Sequence, residues 1–442
     1  MNKVEYNAET LSDLLPVYYR RLFPHSQFYR WLSYGDQLTF AKREISFTLL
    51  GEVYIRYQSF DSQNDFTKQL YKKYPIKIDL GAIYQTKPKD KGPDSKIIPA
   101  EKEIIFDIDM TDYDEVRTCC SGADVCTKCW KFMVIACEIL DDALRIDFGY
   151  KHRLWVFSGR RGIHCWVCDQ DARKVNEEAR SALADYLHVV KGGANVTKKV
   201  DLSEDIIHHS IRRALKIINR YLPTIVEEQD ILGTEERFNN FLKLIDQDIR
   251  PSFETPMKRA ETSSEKWNIF EETFNEMLRN NKIPKHLRNL KEEIKLYYAY
   301  LRLDINVTKG LIHLLKAPFC VHPKTGKVCV PFDANKVDCF NPNTVPTIHG
   351  LIEEIENYGQ KIKDSSSTEI DAKSKIEDYK KTSLVEGMTV FENFLKGFEK
   401  NANKEQETED SKKNIHAQSM RFIENFLKLM ENPNDPDINL FD

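Results

Sequence analysis

The sequence lacks any long apolar run. None of its 442 residues belongs to a stretch approaching the roughly 18 uninterrupted apolar residues that a membrane span requires. The N-terminus, "MNKVEYNAET", also lacks the apolar core of a signal peptide. We therefore expect a soluble protein of the nucleus or cytosol that makes no membrane contact.

An excess of positive charge is missing as well. Lys and Arg number 65 against 69 Asp and Glu, a net charge of −4, so any contact with nucleic acid must rest on a local basic patch. Residues 401–442 hold nine acidic and five basic residues, a balance equal to the charge of the whole chain. The preceding body is therefore close to neutral. A repeat of fixed period is absent too, which argues against a solenoid.

The residue patterns that are present predict a mixed α/β (α+β) protein. With 41% hydrophobic residues the chain can bury a substantial core and has room for two or three domains. "EISFTLLGEVYIRYQSF" predicts a hairpin around Gly51, and strands are also expected at "LYYAYLRLDINV" and "GKVCVPFD". Helical periodicity dominates residues 201–300. We predict a discontinuous domain (1–195 and 297–400), an all-helical insertion (200–296) and an acidic, partly flexible tail (401–442).

The stretch "KEIIFDIDMTDYDE" joins an apolar strand to several carboxylates. Side chains two apart on a strand point the same way, so Asp107 and Asp109 share one face. Such carboxylates oppose each other's ionisation, whereas Mg²⁺ or Mn²⁺ holds both ionised. A half-solvated acidic strand face is the competing interpretation. Asp304 in "LRLDINV", which is predicted to lie on another strand, is a candidate for a third metal-binding carboxylate; the alternative is an ordinary residue at the end of a strand. Asp112 and Asp114 are expected to serve turns or caps.

A basic, glycine-punctuated turn, "FSGRRGIHCW", lies between two predicted strands. Glycines let the backbone approach an anion, and paired guanidinium groups hold phosphate oxygens. The turn therefore predicts a triphosphate cradle, although an exposed hairpin tip is the alternative. The candidate residues are Ser158, Arg160, Arg161 and His164. A second basic element, "KGLIHLLKAPFCVHPKTGK", carries Lys316 and His322, which sequence chemistry by itself does not distinguish from surface residues.

Ten cysteines are too few to make a chain of this length a disulfide scaffold, so we expect them to be reduced. Four of them form the pattern CC-x5-C-x2-C: Cys119, Cys120, Cys126 and Cys129. Four thiolates suit tetrahedral Zn²⁺, although the adjacent pair is unusual for such a site. Buried reduced thiols are the alternative.

In this order, "FDIDMTDYD", "CCSGADVCTKCW", "HRLWVFSGRRGIHCWVC", "LRLDINVTKG" and "LLKAPFCVHPKTG" resemble the small catalytic subunit of eukaryotic DNA primase, in the archaeo-eukaryotic primase family. The resemblance runs from about residue 11 to about 350. It implies a primase fold with two β-sheets around a catalytic cleft, interrupted by the helical subdomain and a small zinc knuckle at residues 119–129.

The resemblance also implies roles for individual residues. Asp107, Asp109 and Asp304 would hold two catalytic Mg²⁺ or Mn²⁺ ions, and the four cysteines a structural Zn²⁺. The phosphates of the incoming nucleotide would be bound by Ser158, Arg160, Arg161, His164, Lys316 and His322, with His313 nearby. Four further positions match family positions that line the nucleotide site: Glu44, Arg56, Lys77 and Asp79. Among these, Glu44 is counted with the catalytic residues, and Asp79 would contact the ribose.

The implied function is that of a primase, a DNA-directed RNA polymerase that makes short RNA primers on single-stranded DNA from ribonucleoside triphosphates. The implied partners are the primase large subunit and the DNA polymerase alpha subunits of a nuclear primosome. Two alternatives remain open at the level of sequence. A metal-dependent nuclease or phosphohydrolase would use the same carboxylates without needing a triphosphate cradle, and a zinc-bearing replication scaffold would need no catalysis.

Overall fold

The structure is a computed structural model that describes residues 6–93, 95–191, 198–204, 206–364, 376–406 and 423. The strands are β1 (Arg43–Thr48), β2 (Tyr54–Gln58), β3 (Lys77–Tyr84), β4 (Pro99–Glu101), β5 (Ile104–Asp109), β6 (Arg153–Phe157), β7 (Gly162–Val167) and β8 (Leu315–Lys316). The N-terminal helices are α1 (Leu11–Arg21), α2 (His25–Ser33), α3 (Gln37–Ala41), α4 (Gln63–Lys73), α5 (Thr127–Ile146), α6 (Gln170–Lys174) and α7 (Glu177–Leu187). The later helices are α8 (His209–Glu228), α9 (Glu235–Lys243), α10 (Pro251–Met257), α11 (Ser263–Arg279), α12 (Leu290–Ala299), α13 (Ile305–Lys309), α14 (Ile348–Asp364) and α15 (Val385–Gln406).

These strands form two antiparallel sheets. The first has the order β2-β1-β3-β4, with β8 also pairing with β3, and the second has the order β5-β7-β6. Together with the helices they confirm the predicted mixed α/β fold, including the hairpin around Gly51, whose φ of +77° suits a residue without a side chain. In the described part of the chain, no helix combines the length and the apolar character needed to cross a bilayer.

The buried core extends beneath both sheets and into the helical segment 209–299. Helix α5 buries a continuous apolar face that includes Met133, Ile135 and Leu140, and it also packs against α8. In α8 the buried residues Ile211, Leu215, Ile218 and Leu222 follow the helical spacing read from the sequence. Residues 209–299 contain helices and no strand that the structure describes, as expected for the insertion. The limits assigned to the domains stay predictions.

Two strand predictions are wrong. "LYYAYLRLDINV" begins as the last turn of α12 and continues into α13, because Leu296, Tyr298 and Ala299 are buried at helical spacing. "GKVCVPFD" forms only isolated bridges, in which Val328 faces Val321 and Pro331 faces Val156.

The C-terminal predictions are only partly covered by the structure. The apolar spacing of "TVFENFLKGF" predicts a helix, and the stretch forms part of α15, which contacts α2 and β6. The Ser-rich segment 365–375 and the tail beyond residue 406, apart from Ile423, lie outside the described residues. The apolar spacing of "MRFIENFLKLM" also predicts a helix, which stays a prediction because the stretch, apart from Ile423, lies outside the described residues.

Candidate active site

A cleft of about 280 Å³ lies between the two sheets. Its first-sheet wall is formed by Lys77 and Asp79 on β3 and by Lys316 on β8, and its second-sheet wall by Asp107 and Asp109 on β5. The remaining lining residues are Ser158, Arg160, Arg161, Gly162, His164, Leu314, Leu315 and His322. The structure thus brings the acidic strand, the basic turn and the later lysine into one space.

The carboxylates of β5 differ in their electrostatics. Burial, followed by the charges of Asp109 and Asp304, raises the pKa of Asp107 to about 7. Burial also acts to raise the pKa of Asp109, but hydrogen bonds from the N–H of Thr111 and from Arg161 outweigh it, so that this pKa lies below its usual value. The ionised form of Asp107 is therefore disfavoured in the metal-free protein, and a bound divalent cation would stabilise it.

Asp304 reaches this cluster because its segment is anchored along the outer edge of β5, the end strand of its sheet. The N–H of Asp304 donates to the carbonyl of Asp107 at 3.2 Å, and Thr308 Oγ1 donates to the carbonyl of Ile105 at 2.9 Å. Asp304 is the N-cap of α13, where its side chain accepts from the N–H of Asn306 at 3.0 Å. It is not among the residues lining the cleft, and its predicted place within a strand is a further correction.

Asp112 lies in the turn to which the sequence assigned it, but its charge also interacts with the carboxylate cluster, which was not expected. Burial, followed by the charges of Asp109 and Asp304, raises the pKa of Asp112 to about 6. Asp112 lies in the 3₁₀ helix Met110–Tyr113, of which Asp109 is the N-cap. In that geometry side chains three apart nearly eclipse, so the spacing of the two aspartates was the available signal. Asp114 serves the following turn, where it accepts from Arg117 and from the N–H of Gly122.

The basic turn is packed against the chain that follows β8, and it is not an exposed hairpin tip. Gly159 has a φ of +90°, and a Cβ there would come within 2.7 Å of His322. Lys316 Nζ donates to the carbonyl of Ser158 at 3.0 Å. Arg161 pairs with Asp109 at 2.8 Å, whereas Arg160 has no carboxylate partner among the described residues. Arg160 is therefore available to an anion in the cleft.

Two histidines in the cleft are held neutral. Burial, reinforced by Lys316, lowers the pKa of both His164 and His322 to about 3. His164 lies opposite Asp107 in the β5–β7 pairing, with its Nε2 3.5 Å from an Asp107 oxygen. Its Nδ1 is buried without a hydrogen-bond partner in the part of the chain that the structure describes. Both rings can therefore offer hydrogen bonds but no positive charge at neutral pH.

On the first sheet, Asp79 is only 3% exposed and pairs with Lys77 at 3.0 Å. Burial raises the pKa of Asp79 despite this lysine. Glu44 and Arg56 form a neighbouring ion pair at 3.0 Å, and the Glu44 carboxylate also accepts from Tyr84. Neither Glu44, Arg56 nor His313 lines the cleft, so their predicted roles at the nucleotide stay predictions.

The four cysteines of the predicted knuckle form a cluster. Their sulfur atoms all lie within 4.8 Å of one another, and no disulfide joins any of the ten cysteines. The Cys126 sulfur is 3.4 Å from that of Cys119 and 3.9 Å from that of Cys129. Four sulfurs around a zinc ion at 2.3 Å would stand about 3.8 Å apart, so the cluster fits this metal.

Helix α5 and the helical segment both support the cluster. Cys126 is the N-cap of α5, and although burial acts in the opposite direction, the backbone N–H of Cys129 helps lower the pKa of the Cys126 thiol to about 7. Gln229, fully buried at the end of α8, donates to Cys119 Sγ at 3.4 Å and accepts from the N–H of Thr118 at 2.8 Å. Such contacts orient ligand sulfurs.

A larger cavity of about 600 Å³ lies beside the helical segment. Lys198 on its wall pairs with Asp201 and Glu293, and Lys199 pairs with Glu115. Arg250 donates to the backbone carbonyl of Ile245. Because these cations already have partners, the cavity offers an anion less than the inter-sheet cleft does.

Fold and site together define a mixed α/β protein in which two antiparallel sheets enclose a cleft that both sheets line with carboxylates and cations, an arrangement suited to metal-dependent chemistry on phosphate groups. The sequence model of the DNA primase small subunit family matches residues 106–334, which include the acidic strand, the cysteines, the basic turn and Lys316. The chain belongs to this family.

Relatives support the same assignment over most of the chain. The DNA primase small subunit of Drosophila melanogaster is 48% identical over 411 residues, which cover 90% of this chain and 93% of that protein. The protein of the same name from Schizosaccharomyces pombe is 40% identical over 79% of each chain. That of Saccharomyces cerevisiae is 38% identical over 80% of this chain and 88% of its own.

Proposed function

We propose that this chain is the catalytic subunit of a primase, a DNA-directed RNA polymerase that makes short RNA primers on single-stranded DNA from ribonucleoside triphosphates. One observation carries the proposal: the half-buried carboxylates of β5 line a single cleft together with Arg160 and Lys316. A polymerase must hold a triphosphate beside metal-binding carboxylates, whereas a nuclease needs only the carboxylates.

In this proposal the nucleotide phosphates lie against the basic turn. Arg160 gives them a guanidinium fork for which no carboxylate of the described residues competes, and Lys316 adds a point charge. His164 and His322 donate hydrogen bonds as neutral rings. Asp79, nearly buried on the opposite sheet, accepts from the sugar hydroxyls, which makes it the candidate residue for preferring ribose.

Asp107, Asp109 and Asp304 are the proposed holders of two Mg²⁺ or Mn²⁺ ions. Their fit rests on geometry: Asp107 and Asp109 line one cleft, and the backbone N–H of Asp304 bonds to the carbonyl of Asp107. The raised pKa of Asp107 agrees with carboxylates that crowd one another. Bound ions would make the attacking 3′-hydroxyl more acidic and offset charge on the leaving pyrophosphate. Arg161 must then leave Asp109 free to coordinate, and the same side chain can turn to the phosphates.

The cysteine cluster is proposed to hold Zn²⁺ in a structural role, since four thiolates leave no open position for a reactant. The relatives are named small subunits, which supports a larger partner subunit. We propose that this partner is the primase large subunit, that the DNA polymerase alpha subunits join them, and that the assembly works in the nucleus. Nuclear localisation is tested by imaging a fluorescent fusion of the full chain.

The test uses unprimed poly(dT), ATP and Mn²⁺. Primase activity predicts a ladder of short RNA products that disappears in Asp109→Ala, while the variant stays folded and unfolds in a single cooperative transition. Degraded template would indicate a nuclease. No product and no degradation would indicate a scaffold, and either outcome would overturn the proposal.

A further inference from the structure

The two sheets are connected at two short crossings of the chain. At the first crossing only Lys102 and Glu103 separate β4 of the first sheet from β5 of the second. At the second crossing residues 310–314 lead from α13, anchored along β5, to β8 in the first sheet. The position of each wall of the cleft therefore depends on these two segments.

Lys102 ties the crossings together. Its side chain is 1% exposed, and its Nζ donates to the carbonyl of Gly310 at 2.9 Å and to that of His313 at 2.6 Å. Within the described residues it forms no ion pair. Burial, followed by the nearby charge of Arg180, lowers its pKa to about 7. A buried lysine with only carbonyl partners is costly, so its main contribution is to hold these two carbonyls in place.

The segment that Lys102 holds leads directly into β8, which carries Lys316 on the first-sheet wall of the cleft. Leu314, Leu315 and Lys316 follow His313, and all three line the cleft. In the β3–β8 pairing Lys316 lies opposite Asp79, and its Nζ reaches across to the carbonyl of Ser158. Release of the crossing would therefore shift Lys316 relative to the basic turn.

The carboxylate wall has separate anchors. Asp304 is held by its N–H bond to the Asp107 carbonyl, and Thr308 is held by its bond to the Ile105 carbonyl. Neither bond involves Lys102. Loss of the Lys102 amine should consequently disturb the position of Lys316 on β8 more than the positions of Asp107 and Asp109 on β5.

We propose that Lys102 is a positioning residue for the nucleotide: by joining the two crossings it sets where Lys316 and the β8 wall stand relative to the carboxylates of β5. This inference rests on the proposed primase function. Lys102 lies outside the cleft and touches no reacting atom, so it acts through the segment 310–316.

The test compares Lys102→Met with a matched control, Lys295→Met. Lys295 is also buried, at 9% exposure, but its Nζ binds Asn219 and Glu271 in the helical segment, away from the cleft. Primer synthesis on poly(dT) with Mn²⁺ gives KM for ATP and kcat, and amide exchange reports residues 311–316 and 105–108 separately.

For Lys102→Met we expect KM for ATP to rise about tenfold or more, because displacement of a binding group by about an ångström can cost up to a hundredfold, while kcat changes less than threefold. Exchange should accelerate at 311–316 and stay unchanged at 105–108. Lys102→Gln, which keeps amide donors, should fall between the methionine variant and the wild type. Lys295→Met should keep the wild-type KM.

An unchanged KM in Lys102→Met, or an equal rise in Lys295→Met, would overturn the inference while leaving the function intact. Absence of both product and nucleotide binding in the wild type would instead overturn the proposed function, and this inference with it. If Lys102→Met does not fold, Lys102→Gln is compared with Lys295→Gln. KM for ATP should then rise in Lys102→Gln and stay at the wild-type value in Lys295→Gln.

Discussion

Arg160 and Arg161 are adjacent in sequence but have different surroundings, and this difference predicts that alanine substitution affects stability at only one of them. Arg161 is paired with Asp109 at 2.8 Å, whereas Arg160 lines the cleft with no carboxylate partner among the described residues. Arg160→Ala should therefore remove a contact that exists only when an anion is bound. The fold should be unaffected, because no buried charge loses its partner.

The magnitude follows from the kind of contact. A hydrogen bond to a charged group contributes about 1.5–3 kcal/mol, and about 1.4 kcal/mol corresponds to a factor of ten. Arg160→Ala should raise KM for ATP about 10- to 150-fold, with the melting temperature of the free protein unchanged. Arg161→Ala should in addition lower that melting temperature, since Asp109 then keeps its charge without its partner.

Three assays separate these effects. Steady-state kinetics on poly(dT) give KM for ATP, thermal melting gives stability, and fluorescence-anisotropy titration of labelled single-stranded DNA gives template affinity. The cradle interpretation requires that Arg160→Ala weaken nucleotide use far more than template binding. The opposite ranking, or a loss of melting temperature in Arg160→Ala as large as that in Arg161→Ala, would refute it.

Further predictions concern the carboxylates and the cysteines. Because the folded-state pKa of Asp107 is raised to about 7, the metal-free protein should lose stability as pH rises from about 4 through 7, where this carboxyl ionises. Unfolding midpoints measured in EDTA at several pH values should show this decline. Asp107→Asn should flatten the decline and abolish primer synthesis. Cys126→Ser with Cys129→Ser should lose zinc by elemental analysis and lower the melting temperature, whereas the exposed Cys339→Ser should retain both. Glu103→Gln breaks a fully buried ion pair, so denaturant unfolding should show a loss of about 3–5 kcal/mol, and a loss below 1 kcal/mol would contradict that account.

Short-range patterns were enough to predict much of the site. The two-residue period of a strand placed Asp107 and Asp109 on one face, and glycine spacing marked the basic turn; both features depend on local geometry alone. The identity of the cysteine cluster followed equally from spacing. These predictions needed no knowledge of distant contacts.

Long-range features were not predictable in the same way. Asp304 meets Asp107 through a backbone hydrogen bond between residues far apart in sequence, and the apolar, aromatic residues before it suggested a strand where a helix ends. The ion pair of Arg43 and Glu103 was also missed, because charged residues are expected at the surface unless a partner is known. Tertiary contacts decide both cases.

The covered edge of β5 has a consequence for biosynthesis. Its cover, residues 304–310, is made nearly two hundred residues after the strand itself. A nascent chain that has emerged only as far as the helical segment presents β5 with unpaired backbone groups, a surface that invites pairing with other chains. Ribosome-bound or prematurely terminated chains that end before residue 304 should therefore depend on chaperones more than chains that extend past residue 316.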